Sequence, residues 1–443
     1  MANSICDALQ HNGCQALLVG GCVRDLLLGR EPADYDVTTD ATPEQVMTLF
    51  PESIAVGAQF GVILVPRDGL KVEVATFRSD VGYSDGRHPD SVVYSKTPQE
   101  DVQRRDFTIN ALLMRHDTSD VLDYVGGQAD LKAKLIRAIG EPYRRFTEDK
   151  LRMMRAVRFA ARFGFEIEVE TFCAIRRRVA EIRQVSPERL REELTKMLTE
   201  GAARQAFELL DETWLLRQVL PEIGAMKGVK QPPQFHPEGD VWIHTLLMLE
   251  GLPAGASPTL AWGVLLHDVG KPSTFQSAAQ TGDRIRFNDH VEVGVLMAEA
   301  ICKRLRFSNE DTGQILALVD NHMKFGAVED MRASTLKKFV RLPRFEEHLA
   351  LHRLDCLSSH GHLESYEFVK RFLEATPPEQ VRPERLLTGD DLLAMRFQPG
   401  PLFAEILRSV EDAQLDGHIR TREEAIEYVR KRLAFKERKA SSD

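Results

Sequence analysis

A chain of 443 residues with 43% apolar and 28% charged side chains is long enough for two to four globular domains, each able to bury a core. Its formal net charge of -9 excludes a surface that binds nucleic acid indiscriminately, though not a local basic face. The six cysteines (Cys6, Cys14, Cys22, Cys173, Cys302, Cys356) are scattered without a CxxC pair. That excludes a disulfide framework and a zinc ribbon, and a reducing cytoplasm is the expected compartment.

The first elements alternate in type. Residues 16–19, 36–39, 62–65 and 71–77 read as strands, and 23–28 and 43–50 as helices between them, so a small α/β unit is expected. A polar, glycine-containing loop follows at about 79–95. From Glu148 onward the pattern is helical almost throughout. Between Arg137 and Arg191 there are 14 basic and 8 acidic residues, and most of the basic ones are arginine. Such a stretch suits phosphate contacts, and it equally suits a solvated helical face. Pro and Gly cluster at 228–239 as a linker, a second helical block runs to about 375, and Pro377, Pro378 and Pro383 set off a final segment. No apolar stretch is long enough to span a bilayer, and no secretory signal is expected.

Two N-terminal motifs carry chemistry. Leu18-Val-Gly20-Gly21-Cys-Val-Arg24-Asp25 reads as strand, glycine turn and helix start. Glycines there let backbone N–H groups approach a phosphate, and Arg24 can add a bidentate contact. Asp34-Tyr35-Asp36 follows. Residues two apart on a strand project to one face, so both carboxylates can hold one group of hard cations such as Mg²⁺. Two such ions can activate a 3′-hydroxyl and stabilise a pyrophosphate leaving group. Each motif alone is also compatible with an ordinary turn.

Together, Gly20-Gly21-Cys-Val-Arg24-Asp25 and Asp34-Tyr-Asp36 resemble the class II tRNA nucleotidyltransferases, which comprise CCA-adding enzymes and their poly(A) polymerase relatives. Arg104–Ala111 resembles the family's second motif, Glu148-Asp149-Lys-Leu-Arg152 its nucleotide-selecting motif, and Ser186-Pro-Glu-Arg189 the start of its neck helix. The resemblance implies that Asp34 and Asp36 are catalytic and bind metal. It implies that Gly20, Gly21 and Arg24 meet the triphosphate, and that Arg105, Asp149, Arg152, Arg155 and Arg158 line the nucleotide site. Glu73, on a strand, is either a third carboxylate or an exposed strand residue, and Asp106 is expected to shape the site. Arg78–Pro89 resembles the loop used to pass from C to A addition, and Gly57–Gly61 looks more like the CCA-adding pattern than that of the poly(A) polymerases.

Donor and acceptor chemistry agrees with this assignment. A carboxylate only accepts hydrogen bonds and a guanidinium only donates. Cytosine and adenine carry an exocyclic amino donor beside a ring acceptor, whereas guanine and uracil present a carbonyl and a ring N–H. Asp149 and Arg152, three apart on one expected helix, therefore match C and A and mismatch G and U. The two acids after Thr147 are equally normal for a helix start.

A second constellation lies further on: His244, His267-Asp268 in Leu-Leu-His-Asp-Val-Gly-Lys271, His290, His322 and Asp355. Histidines and aspartates on separate expected helices can converge on metal inside a bundle. The set resembles the binuclear-capable HD phosphohydrolases. It implies a transition-metal ion such as Ni²⁺, Mn²⁺ or Fe²⁺ and hydrolysis of a phosphoester, for which a 2′,3′-cyclic phosphate is the natural guess. An HD fold kept as an RNA-binding scaffold is the alternative. Leu387–Pro401 and the basic residues 430–439 resemble the tail that contacts the tRNA elbow, and they equally describe a helical hairpin.

The expected fold is α+β: a polymerase-beta-like nucleotidyltransferase head (1–140), an all-α neck for nucleotide selection and RNA binding (141–225), an HD bundle (230–375) and a helical tail (380–443). The expected activity is template-independent addition of C and A to the 3′ end of tRNA from CTP and ATP. The alternatives are an A-adding enzyme or poly(A) polymerase, or an HD phosphohydrolase with an RNA-binding head.

Overall fold

Four apolar residues in a row make strand β1 (Ala16–Val19), and all four are buried. Helix α1 (Ala2–His11) precedes it and turns Ile5, Cys6 and Leu9 inward. After β1 come α2 (Gly21–Leu27), β2 (Asp36–Thr39) and α3 (Pro43–Leu49), the last started by a Thr42/Gln45 capping box. Strands β3 (Ile54–Gly57), β4 (Val62–Arg67) and β5 (Leu70–Thr76) follow. The computed structural model describes residues 2–57, 61–67, 69–82 and 91–440, with backbone alone at 57, 70, 80, 81 and 432–440. Residues 58–60 of the Gly57–Gly61 signature and 83–89 of the Arg78–Pro89 segment lie outside the described residues, as do the side chains of 432–439 in the basic tail.

The flanks of the expected 79–95 loop are not loop. β6 (Arg78–Val81) and β7 (Ser91–Tyr94) pair antiparallel from Arg78↔Tyr94 to Val81↔Ser91. The run Ser91-Val-Val-Tyr94 carries the strand-forming residues that the polar surroundings mask. After α4 (Pro98–Gln103), the two-residue strands β8 (Leu113–Met114) and β9 (Val121–Leu122) complete the main sheet. Its order among the described residues is β3-β4-β5-β2-β1-β8-β9. β2 and β5 run parallel with Asp36 level with Glu73, and the other pairs are antiparallel. Level residues of neighbouring strands share a face, so the register brings a third carboxylate beside Asp36.

Helices then take over: α5 (Gly127–Ala133), α6 (Pro142–Glu148), α7 (Arg152–Phe163), α8 (Val169–Arg178), α9 (Pro187–Thr199) and α10 (Ala203–Glu212). α7 buries Met153, Met154, Ala156, Val157 and Ala160. The short strands β10 (Leu135–Ile136) and β11 (Glu166–Ile167) pair in parallel. Ser186 precedes α9 with Pro187 in its first turn, as the motif predicts.

The chain divides into two compact units. The first holds residues 1–225 with 252–256 and 303–306, and the second holds the remainder. In the second, helix Pro258–Leu266 is buried on every side from Thr259 to Leu266, which explains its lack of an amphipathic pattern. It is surrounded by helices Val241–Glu250, Asn309–Asn321 and Phe345–Ser358. The terminal segment has its own core of Leu387, Leu392, Val410, Ile419 and Val429. Among the described residues no helix is long and apolar enough to cross a membrane.

Candidate active site and candidate metal centre

One cleft of about 500 Å³ in the first unit gathers nearly every N-terminal candidate: Gly20, Gly21, Arg24, Asp34, Asp36, Arg105, Asp149, Arg152, Arg155 and Arg158 all line it. Gly20 ends β1 at φ 79°, a left-handed conformation that glycine adopts without strain. A Cβ there would lie 3.2 Å from Arg105 Nη1 and 3.9 Å from Asp36 Oδ2, so the absence of a side chain keeps the floor of the cleft open.

Asp36 is the first residue of β2, and Asp34 sits in the bend before it rather than on the strand. The two share the cleft all the same. Burial raises the Asp36 carboxyl to about 6, with Glu73 and Asp34 adding repulsion and Arg105 opposing it. Three carboxylates thus crowd one place, an arrangement that favours a bound cation over bare anions.

Arg24 is 4% exposed and already engaged. Its Nε donates to Asp25 Oδ1 at 2.9 Å and its Nη1 to Asn110 Oδ1 at 2.5 Å, while its plane lies 4.5 Å over the Phe163 ring. Asp106 is a positioning group, as expected. Its Oδ2 accepts from Arg155 Nε at 2.8 Å and its Oδ1 from Asn110 Nδ2 at 3.1 Å. Burial would raise this carboxyl, but Arg155 and Arg152 outweigh it and hold it at about 2.

Asp149 and Arg152 are not on one helix. α6 ends at Glu148, and Asp149 adopts extended angles (φ -144°, ψ 108°). Its Oδ1 accepts from Leu151 N at 3.0 Å, so the side chain competes for the backbone and breaks the helix. Arg152 then begins α7. Arg189 of α9 holds both Asp149 oxygens, at 3.2 and 2.7 Å. Arg152 is held by Glu148 Oε2 at 2.8 Å and by the Arg104 carbonyl at 2.9 Å. Arg158 is bonded to Glu193 at 2.7 Å and Glu200 at 3.3 Å. The partners Arg189, Glu148, Glu193 and Glu200 were not foreseen as part of the site.

In the second unit the six expected HD residues converge. His244 Nε2 is 3.2 Å from Asp355 Oδ1, and His267 Nε2 is 3.1 Å from Asp268 Oδ2. His290 and His322 Nε2 lie 3.9 and 3.8 Å from Asp268 Oδ1. Two overlapping groups, His244/His267/Asp268 and Asp268/His290/His322, each bring their ligand atoms within 4.8 Å of one another. Asp268 belongs to both, which suits a bridging carboxylate.

The hydrogen bonds on the far side of each ring test whether these residues fit an ion. Nδ1 of His267, His290 and His322 contacts the carbonyls of Val264, Phe287 and Val319 at 2.7 to 2.9 Å, and Nδ1 of His244 contacts Glu238 Oε1 at 2.8 Å. Carbonyls and carboxylates only accept, so each Nδ1 carries the proton and each Nε2 is available as a ligand. All four Nε2 atoms are buried; those of His290 and His322 have no hydrogen-bond partner among the described residues, and those of His244 and His267 face carboxylate oxygens across 3.2 and 3.1 Å. Buried ring nitrogens converging on carboxylates fit divalent metal.

Gly270 permits this packing. A Cβ there would fall 2.1 Å from the His290 carbonyl, so no larger residue could bring His290 so close. Burial would raise Asp268, but His267 and Lys271 outweigh it and hold it well below the usual range; Lys271 Nζ is 2.6 Å away. Burial lowers His322 to about 4. A cleft of about 470 Å³ opens over the cluster, lined also by Phe235, His236, Arg284, Phe287 and His360. Glu238 and His236 were missed because they sit in the Pro/Gly run read only as linker.

Comparison with known proteins matches the description "Poly A polymerase head domain" to residues 16–137, "Probable RNA and SrmB- binding site of polymerase A" to 164–226 and "HD domain" to 241–354. The chain is 30% identical over 435 residues to a CCA-adding enzyme of Bacillus cytotoxicus, covering 96% of both. It is 32% identical over 426 residues to that of a Geobacillus species, covering 96% of this chain and 95% of the other.

The chain belongs to the CCA-adding enzymes.

Membership makes it a tRNA nucleotidyltransferase and accounts for the order of polymerase head, helical neck, HD domain and helical tail. Among solved structures it resembles the CCA-adding enzyme of Bacillus stearothermophilus in complex with CTP, with a TM-score of 0.73, 26% identity and 98% coverage of both chains. The fold is shared with the Thermotoga maritima CCA-adding enzyme complexed with tRNA, with a TM-score of 0.57 and 21% identity over 98% of this chain and 94% of that one.

Proposed function

We propose that this CCA-adding enzyme extends tRNA with C and A from CTP and ATP, releasing pyrophosphate, and that the cleft around Gly20, Asp36 and Asp149 is where it does so. The observation that carries the reading is the convergence, in that cleft, of a glycine-lined floor, the Asp34 and Asp36 carboxylates with Glu73 beside them, and the Asp149/Arg152 pair. Asp34, Asp36 and, across the β2–β5 register, Glu73 would hold Mg²⁺. Ions held there supply charge neutralisation for the attacking hydroxyl and the leaving pyrophosphate. Gly20 and Gly21 leave room for the triphosphate, and Arg105, Arg155 and Arg158 supply positive charge around it. Arg24 acts mainly by holding Asp25 and Asn110 in place.

Asp149 and Arg152 would read the base by the donor–acceptor complement worked out above. Arg189 and Glu148 hold that pair still, as a fixed template requires. The test is single-nucleotide incorporation on tRNA transcripts lacking either the whole terminal triplet or only the last A. Asp149→Ala and Arg152→Ala should lose discrimination against GTP and UTP. Unchanged discrimination rejects the template role. A-addition alone, without C-addition, would identify an A-adding enzyme.

A second activity is supported by the four buried Nε2 atoms of the HD domain that converge on Asp268 and Asp355. We infer that His244, His267, Asp268 and Asp355 hold one divalent transition ion and Asp268, His290 and His322 another. Ions there supply Lewis-acid activation for phosphoester hydrolysis. Lys271, beside Asp268 and at the cleft wall, would bind phosphate oxygens. A 2′,3′-cyclic phosphate is the proposed substrate, and the boundaries of head (1–140), neck (141–225), HD domain (230–375) and tail (380–443) are proposed with it. Elemental analysis of wild type against His267→Ala decides the metal assignment; equal metal content rejects it.

A further inference from the structure

Three of the four HD histidines are oriented by backbone carbonyls, whereas His244 is oriented by a carboxylate that has a second client. Glu238 Oε1 lies 2.8 Å from His244 Nδ1 and also 2.8 Å from His236 Nδ1. The rings of His236 and His244 meet edge to face, with centroids 5.0 Å apart. The Glu238 side chain is 8% exposed, and its other oxygen has no partner among the described residues. His236 lines the cleft over the metal cluster, while His244 is fully buried beneath.

We propose that Glu238 is a positioning residue of the HD centre that orients His244 for metal and, through the same oxygen, carries His236 to the cleft wall as a substrate-binding group. This rests on the metal reading above.

A buried carboxylate cannot donate, so both imidazoles present Nδ1–H to it and keep Nε2 for other partners. A charged acceptor also makes His244 a stronger base at Nε2 than a carbonyl would, which strengthens it as a ligand. His236 Nε2 stays available to a phosphoester that bears a hydroxyl. The local sequence fits this geometry. Lys230 and Asp240 form an isolated β-bridge that closes the loop at its base. Asp240 caps the following helix through Ile243 N at 2.8 Å and also accepts from Gly228 N at 2.6 Å. The loop carrying His236 and Glu238 is thereby pinned at both ends.

The same three side chains, His236, Glu238 and His244, also form a group whose ligand atoms lie within 4.8 Å. Both contacts, however, have the length of N–H···O hydrogen bonds, with a single oxygen serving both rings.

The experiment is calorimetric titration of metal-free full-length protein with Mn²⁺, in an Asp34→Ala/Asp36→Ala background so that the head contributes no ions. Glu238→Ala should bind Mn²⁺ about 10- to 100-fold more weakly at the HD centre. Glu238→Gln should fall between it and the parent, since an amide oxygen accepts but carries no charge. His236→Ala should keep the parent's Mn²⁺ affinity and stoichiometry while raising KM for a 2′,3′-cyclic nucleotide more than it lowers kcat. Each substitution placed singly in the otherwise wild-type chain should leave CTP incorporation unchanged, which separates positioning from misfolding. Parental Mn²⁺ affinity in Glu238→Ala overturns the proposal. So does the loss of one bound ion in His236→Ala, which would mean that the three side chains hold a metal of their own. If the parent binds no Mn²⁺ outside the head, the metal reading itself fails. The proposal then fails with it, a result distinct from parental affinity surviving in Glu238→Ala.

Discussion

Replacing Asp36 with asparagine should abolish nucleotide transfer and, at the same time, stabilise the ion-free head. Burial together with Glu73 and Asp34 raises this carboxyl from an ordinary 3.8 to about 6. Two pH units at 1.36 kcal/mol each give about 3 kcal/mol as the most that its ionised form costs the fold. The folded value lies above the unfolded one. The penalty is therefore absent below about pH 4, grows as pH rises through 6 and is constant above that. Asparagine carries no charge and escapes it. The assay is denaturant unfolding of chelator-treated wild type and Asp36→Asn at several pH values, followed through the transition that CTP raises. The variant should match wild type near pH 4 and exceed it by up to about 3 kcal/mol at pH 8. Millimolar Mg²⁺ should close the gap by stabilising only the wild type. A variant less stable than wild type at pH 8, or a difference that does not vary with pH, would refute the claim that crowded carboxylates await a cation here.

Other outcomes follow from the same contacts. Arg158→Met should cost about 1 to 3 kcal/mol, because Glu193, with a side chain only 4% exposed, and Glu200 lose their nearest guanidinium and keep only Arg155 at 3.8 Å and Arg162 at 3.6 Å; denaturant melts of the first unit measure it, and a loss under about 0.5 kcal/mol would contradict the pairing. Acid should loosen the second unit from about pH 6.5 downward. Burial lowers His348 and His352 to about 4, so the stability tied to their neutral forms is complete above pH 6.5 and is lost as pH falls towards 4. Unfolding free energy against pH should show this slope, and His348→Gln should remove about one proton from it.

How much of this was legible beforehand depended on distance along the chain. β1 and β2 were readable to the residue because their signals are local, an apolar run in β1 and the β-branched Val-Thr-Thr in β2. The six HD residues that converge were readable as a set because their order, His, His-Asp, His, His, Asp, resembles that of the HD phosphohydrolases. The break at Asp149 was not, since Glu-Asp-Lys-Leu-Arg is good helix sequence and the interruption lies in the extended backbone of Asp149 and the bond its side chain accepts from Leu151 N. Arg189 lies in a run that resembles the start of a neck helix, yet its contact with Asp149 spans 40 residues and leaves no periodicity. Glu238 and His236 were hidden differently. Prolines and glycines around them spell a turn, and a turn pinned at its base can place a side chain as firmly as a helix does.

The pairing of the cleft's arginines explains why a count of charge was so poor a guide. The stretch 137–191 carries a local excess of positive charge within a chain of net charge -9. Most of the excess nearest the cleft is already committed: Arg152 to Glu148, Arg155 to Asp106, Arg158 to Glu193, Arg189 to Asp149. A cleft meant only to attract phosphate would leave such guanidiniums free. One meant to distinguish bases by where a donor and an acceptor stand needs them immobile before the nucleotide arrives, because an Asp or Arg free to swing would satisfy G or U as readily as C or A. Pairing lowers the attraction for the triphosphate and raises the rigidity of the reader. In the proposed mechanism the carboxylate–cation cluster at Asp36 restores the attraction, so binding strength and base choice rest on different side chains and can be separated by mutation.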